Sequence, residues 1–357
     1  MRRFNIAYTI GGVALAALSL SGCISRDENL DNLNVITKPY SLMFADIHGT
    51  IYSTYDGQRF DVIPNAQGVP MMGLGSTGNH ILLRPNPFAL FVDDGGQGIN
   101  RNFNPAYDKV NPSSFGPSFV LNLPGYNDTG AKAKDRLYVA SSEGLAYSDS
   151  NAQTKTSFFQ VSDTSFAGVG TTSLTQLDDK RLIAFDDVTR RVWIKNDLKS
   201  PWLSQAGAGL PGAGSGRMFI ISQKNEIYAV MTENPTDIGV WRSTDQGHNF
   251  AKLPSDGLTP DISCAISAFD KVLIIGTAAN GIWRFSGQGR WEQSSIGLKT
   301  GIRIYGLAAK SNKFKNEKSG EYIYAATNDG VYRSDNLGQN WVRVEAPPTE
   351  KEINLIY

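Results

Sequence analysis

Histidine and cysteine are scarce in this chain of 357 residues, with three of the first and two of the second. So few cannot build a disulfide framework, and His48, His80 and His248 lack metal-ligand spacing. No metal or cofactor is expected. No phosphate loop, dinucleotide fingerprint or Ser-His-Asp arrangement is present either. Charge of one sign is not in excess: 34 Lys+Arg stand against 34 Asp+Glu, which argues against nucleic acid as a partner. Long apolar runs are missing apart from one, from about Ile6 to Leu20, and it is short of the roughly 20 residues that span a bilayer. Glycine, by contrast, is plentiful at 36 residues, which suits a fold with many tight turns.

The single apolar run follows Arg2 and Arg3 and ends Leu20-Ser21-Gly22-Cys23. A short basic region, an apolar region and small residues before a cleavage point describe a signal peptide. The ending resembles the lipobox of bacterial lipoproteins. That resemblance implies cleavage before Cys23, a lipid on its sulfur, and anchoring in the bilayer through acyl chains. Position 24 is Ile rather than Asp, which by the same resemblance favours the outer membrane, facing the periplasm or the cell surface. Three parts are therefore expected: residues 1–22 as signal peptide, 23–38 as a lipidated flexible tether without sustained apolar period, and 39–357 as the folded domain. With Cys23 lipidated, Cys264 remains as a lone thiol in an alternating apolar stretch, where a buried, inert role is expected.

The folded part repeats one unit. An apolar strand, a Gly-containing turn, an aromatic-polar strand and a terminal aromatic recur in that order. The aligned aromatics are Tyr52, Phe91, Tyr147, Trp193, Trp241, Trp283 and Tyr332. Units of about 40–50 residues with four short strands each indicate an all-β propeller. Seven units predict a seven-bladed β-propeller of four-stranded antiparallel blades. The first unit shows only three strands, and Glu352–Tyr357 is a strand-like stretch left over at the other end. The C-terminal strand is therefore expected to close the ring.

Three copies carry a sharper pattern between the third and fourth strands. Ser243, Asp245, Gly247 and Phe250 resemble the Asp box of sialidase-type repeats, as do Ser334, Asn336, Gly338 and Trp341, with Asn for Asp. Ser53, Gly57 and Phe60 keep three of its four positions. The role expected of these residues is structural: short polar side chains bond the backbone of the turn, glycine takes the conformation closed to others, and the aromatic fills the gap between sheets.

Catalytic residues are not expected. A sialidase-like enzyme needs an arginine triad, a Tyr/Glu pair and an acid, with an Arg-Ile-Pro-type motif before the first box; here that region reads TKPYSLMF. Arg242, Arg284 and Arg333 occupy one repeated position and are read as solvated or inter-blade residues. Asp186-Asp187 sits in a turn, where acids are common. The longest irregular segment, Gly95 to Pro117, offers Arg101, Phe103 and Tyr107 as partner-binding candidates. Lys310–Lys318 is a basic insertion expected to be a solvated hairpin. Lipobox, boxes and blades together also resemble, distantly, the photosystem II stability/assembly factor family. The expected function is a non-catalytic docking or assembly platform for a protein partner in the cell envelope. A sialidase-like glycoside hydrolase and a glycan-binding, lectin-like module are the alternatives.

Overall fold

In a computed structural model, side chains are described for residues 42–54, 57, 60–62, 138, 145, 147, 173–197, 200–212, 216–232, 238–259, 261–285, 289–313, 319–345, 352–354 and 356–357, and further strands by their backbone. The chain divides into two compact units, residues 1–40 with 311–320 and residues 41–310 with 321–357. Among the described residues no helix is long and apolar enough to cross a membrane.

The strands are β1 (Ile36–Lys38), β2 (Leu42–Asp46), β3 (Ile51–Thr54), β4 (Asp61–Val62), β5 (Gly73–Ser76), β6 (His80–Pro85), β7 (Phe88–Asp93), β8 (Ile99–Phe103), β9 (Pro117–Tyr126), β10 (Lys134–Ser141), β11 (Gly144–Ser148), β12 (Phe158–Gln160), β13 (Ser173–Gln176), β14 (Leu182–Asp186) and β15 (Arg191–Lys195). They continue as β16 (Leu203–Gln205), β17 (Arg217–Gln223), β18 (Glu226–Thr232), β19 (Gly239–Ser243), β20 (Ala251–Lys252), β21 (Ile262–Ala268), β22 (Val272–Thr277), β23 (Ile282–Phe285), β24 (Trp291–Gln293), β25 (Ile304–Phe314), β26 (Ser319–Thr327), β27 (Gly330–Ser334), β28 (Val342–Arg343) and β29 (Ile353–Ile356). Most sheets join four consecutive strands by short antiparallel connections, as in β13-β14-β15-β16 and β17-β18-β19-β20.

Two sheets are exceptions: β1 adds to the edge of β25 as a fifth strand in the last one, and the first departs in the way the sequence predicts. Its order is β29-β2-β3-β4, so the C-terminal strand supplies the missing inner position. Phe44 pairs with Ile356 and Ala45 with Leu355, and the Met43 and Tyr357 backbones exchange two hydrogen bonds of 3.2 and 2.9 Å. The repeated aromatics all fall on third strands, with Trp193 opposite Ala184, Trp241 opposite Ala229 and Tyr332 opposite Ala325. A large side chain facing alanine on the neighbouring strand leaves room for the next sheet to pack closely.

The cores lie between consecutive sheets. Phe185 and Val192 of one sheet pack with Ile220, Ala229 and Trp241 of the next. Ile274 and Ile282 pack likewise with Ala325, Tyr332 and Trp341. Second strands are buried on both faces, as the runs Leu182–Asp186 and Val272–Thr277 show, and read as continuous apolar stretches for that reason. Cys264 faces Gly276 across its strand pair. A Cβ on Gly276 would lie 2.6 Å from the sulfur, so the thiol fills the space that glycine leaves, and burial pushes it up to about 12.

Two segments differ from their expected form. Ile36–Lys38, read as part of the tether, forms β1 and pairs with Phe314 and Lys313. The segment Gly95–Pro117, read as irregular, contains β8, whose Arg101 and Phe103 pair with Val92 and Leu90 as the fourth strand of its sheet. The sequence Ile-Asn-Arg-Asn-Phe has little strand propensity, but an outer strand needs a partner on one side only.

Candidate interaction surface

In every four-stranded sheet the turn between second and third strands lies at the same end as the start of the first strand. The hydrogen bonds show what holds that end together. Asp46 Oδ1 accepts from the His48 and Thr50 amides, both at 2.9 Å. Asp186 Oδ1 accepts from the Val188 amide at 2.9 Å, and its Oδ2 takes the Thr189 hydroxyl at 2.5 Å. Asp187 reaches the next sheet, where the Met218 amide donates to it at 2.7 Å. Arg190 pairs with Asp187 and donates to the Gly216 carbonyl. Burial raises the Asp187 carboxyl above its ordinary range, against the pull of these donors. Asp261 accepts from the Ala279 amide at 2.8 Å and Asn280 Nδ2 at 3.1 Å, and Asn328 Oδ1 takes the Arg303 amide at 3.0 Å. These acids and amides hold the chain's own turns. Between them Ile47 and Val188 project outward, 39 % and 74 % exposed.

The box-like stretches singled out in the sequence, Ser243–Phe250 and Ser334–Trp341, sit at the opposite turns. Ser243 Oγ accepts the Gly247 amide at 2.8 Å and donates to Asp245 Oδ1 at 2.9 Å, which in turn takes the Asn249 amide at 2.9 Å. The second box repeats this atom for atom: the Gly338 amide to Ser334 at 2.9 Å, Ser334 to Asn336 at 2.8 Å, the Asn340 amide to Asn336 at 3.0 Å. Asn serves because only a carbonyl-type acceptor is needed. Hydrogen bonds from the backbone and side chain of Asn249 hold Asp245 down to about 2, the state of a fixed acceptor. In the first copy the Gly57 amide donates to Thr54 Oγ1 at 2.9 Å. Thr54 follows Tyr52 by two residues, as Ser243 follows Trp241, and so stands in the serine's place; Ser53 is one residue earlier and buried.

The three arginines of the repeated position do not converge. Arg242 forks onto Glu226, which also accepts from the Tyr228 hydroxyl at 2.5 Å. Burial and Glu226 push that phenol well above its ordinary value. Arg333 lies 5.4 Å over the Tyr322 ring, and the Arg284 side chain approaches the box of the following sheet at Gly338. Among the described residues no group of three His, Cys, Asp or Glu side chains could hold a metal. Of the partner-binding candidates, Arg101 and Phe103 fall on β8. Tyr107 lies outside the described residues, as do Cys23 and all of residues 1–35.

One recurring device escaped the sequence analysis. The chain leaving a fourth strand makes the turns Gly207–Leu210, Ser255–Leu258 and Ser295–Leu298, each closed by the leucine amide on the first residue's carbonyl at 3.2, 3.0 and 3.0 Å. The third residue is Gly209, Gly257 or Gly297, with φ of +87°, +84° and +88°, as a type II turn demands. The leucines pack into the clusters between sheets. Two of the turns also bond the next box: the Phe250 amide donates to Ala208 O at 2.7 Å and the Trp341 amide to Ile296 O at 2.8 Å. A Cβ on Gly297 would lie 1.9 Å from the Trp341 carbonyl oxygen. These two boxes thus end against the link from the preceding sheet. The Gly-Leu step at 209, 257 and 297 was the available signal.

No protein-family model matches the chain, and no curated protein does. Solved structures match it with low identity. The structure of YCF48 bound to D1 peptide is 10 % identical with a TM-score of 0.55, covering 84 % of this chain and 92 % of that one. YCF48 from Cyanidioschyzon merolae is 13 % identical with a TM-score of 0.53, covering 84 % and 95 %. The GH74 enzyme of Niastella koreensis is 13 % identical with a TM-score of 0.50, covering 83 % of this chain and 41 % of that one. The chain is a β-propeller. At these identities the likeness speaks for the fold alone, and a propeller's face is built from the turn edges of its blades.

Proposed function

We propose that this propeller is a non-catalytic docking platform for a protein partner in the bacterial cell envelope, lipid-anchored at Cys23, with the seven sheets as seven blades of one ring. The observation that carries the reading is the use made of the acids at the turn edge. Asp46, Asp186, Asp187 and Asp261 each accept hydrogen bonds from backbone amides, while Ile47 and Val188 stand exposed among them. A rigid polar rim around exposed aliphatic side chains suits protein contact. General acid–base chemistry would instead need carboxylates free to meet a substrate. The lipobox supports the anchor, and the likeness to a propeller described with a bound peptide supports a partner of polypeptide nature.

Photo-crosslinking in cells tests this. A photoreactive amino acid at Val188 is expected to give a discrete protein adduct that diminishes when Cys23→Ala releases the chain from the membrane. The same residue at Leu203, exposed on an outer strand, is expected to give none. Equal labelling at both positions, or turnover of a fluorogenic glycoside by the purified protein, contradicts the reading.

A further inference from the structure

Asn280-Gly281 is the one Asn-Gly step in the chain, and it lies in the turn between β22 and β23. The turn is closed by its own bonds. The Gly281 carbonyl accepts from the Thr277 amide at 3.0 Å and the Thr277 hydroxyl at 2.8 Å, and the Asn280 amide donates to Thr277 Oγ1 at 2.9 Å. A second set ties the turn to Asp261, the residue that leads into β21. Asp261 O accepts the Ala278 amide at 2.8 Å, and its Oδ2 accepts the Ala279 amide at 2.8 Å and Asn280 Nδ2 at 3.1 Å. Asn280 is exposed, whereas Gly281 is buried with φ of +71°. The space beside the glycine is taken: a Cβ there would lie 2.4 Å from Ser295 Oγ, the oxygen that accepts the Ile282 amide at 3.1 Å.

We propose that Asn280 is a site of spontaneous, irreversible modification, at which the side-chain amide is lost through a cyclic imide and the hold of this turn on the start of β21 is released. The Gly281 backbone nitrogen attacks Asn280 Cγ. An N–Cγ bond forms, the Cγ–Nδ2 bond breaks, and ammonia leaves with the proton of the backbone amide. Water then opens the five-membered ring. Cleavage of the new N–Cγ bond gives aspartate; cleavage of the original peptide bond gives isoaspartate. Water is the one co-reactant. Glycine permits the attack because it has no Cβ to crowd its nitrogen. Asn249, Asn328, Asn336 and Asn340 also lie at turns but are followed by Phe, Asp, Leu and Trp. Either product works against the turn. Aspartate sets a second carboxylate where an amide now donates to Asp261, replacing attraction by like-charge repulsion. Isoaspartate adds a methylene to the backbone of a turn that is bonded at both ends and packed against Ser295.

The test ages the purified full chain in detergent at mildly alkaline pH and maps its peptides by mass spectrometry. A gain of one dalton is expected at Asn280, several-fold faster than at Asn249, Asn328, Asn336 or Asn340, with isoaspartate among the products. Asn280→Gln, whose longer side chain disfavours the five-membered ring, should stay unmodified there. Asn280→Asp should melt below wild type at neutral pH, by a deficit that shrinks toward pH 3 as the facing carboxylates protonate. Its Ala279 amide should exchange faster, as should that of aged wild type separated by charge. Absence of the mass gain at Asn280 in the folded chain overturns the proposal, and so does modification spread evenly over the five asparagines. An Ala279 amide equally protected in fresh and aged protein overturns the release of the turn.

Discussion

Two junctions flank the last blade, and they are fastened at different places. Toward the preceding blade, Trp341 is held twice at the outer end, its indole donating to Ser294 O at 2.9 Å and its amide to Ile296 O at 2.8 Å. Toward the first blade the outer end is a cleft lined by Gly57, Phe60 and Val342, and the fastening is on the inner strands. Tyr305 donates to Glu352, Ile356 lies 3.0 Å from where a Cβ on Gly306 would be, and the Lys310 ammonium sits 3.9 Å over the Tyr357 ring, with burial lowering it to about 8. Where the chain runs on from blade to blade, a covalent link brings the turn to its place. Where the first blade meets the last, the pairing of β29 with β2 has to do that work.

The largest expected effect breaks the second junction. Deleting Glu352–Tyr357 removes a strand whose Ile353 is fully buried and leaves the edge of β2 unpaired. Loss of a cooperative melting transition and of soluble yield is expected; an unchanged melting temperature would contradict closure by β29. Next comes a matched pair of aromatic truncations. Trp341→Ala should cost about 3–5 kcal/mol in urea unfolding, and Phe60→Ala distinctly less, because Trp341 is 2 % exposed and Phe60 is only partly buried. Equal costs would erase the distinction between the junctions.

Gly297→Ala and Gly301→Ala sharpen the comparison further. Both positions have positive φ, +88° and +70°, so both should pay roughly 1 kcal/mol for the left-handed conformation. Only Gly297 also meets a carbonyl, while a Cβ on Gly301 meets nothing within 4 Å. The excess cost of Gly297→Ala measures the close approach. Smallest is a pH effect in the boxes. Asp245 is held at about 2, below its ordinary 3.8. The stability it contributes is present above pH 3.8 and is lost as pH falls toward 2. The advantage of wild type over Asp245→Asn should therefore shrink between pH 4 and 2. Asn336→Asp should introduce the same dependence into the second box.

Much of this architecture was legible in the sequence because it rests on large, repeated side chains. Third-strand aromatics such as Trp193, Trp241 and Tyr332 are conspicuous, and Glu352–Tyr357 stood out once the first unit lacked a strand. These four-residue turns were missed because only their Gly-Leu step recurs, and two of them bond the following blade rather than their own. In the first box the hydroxyl was sought at Ser53, whereas the Gly57 amide bonds Thr54; register, not residue type, sets that position. β8 was missed because Asn100, Arg101 and Asn102 carry little strand propensity. Asp186 and Asp187 were read from the sequence as ordinary turn acids, and their partners at the Val188 and Met218 amides show what they hold.

Amide hydrogen exchange tests the contrast between the junctions most directly. The Phe250 and Trp341 amides, bonded to Ala208 and Ile296, should exchange slowly in the free protein. The Phe60 amide, which no carbonyl among the described residues takes up, should exchange rapidly. A Phe60 amide as protected as Phe250 in the free protein would mean that this junction is already filled like the others, and would contradict the account.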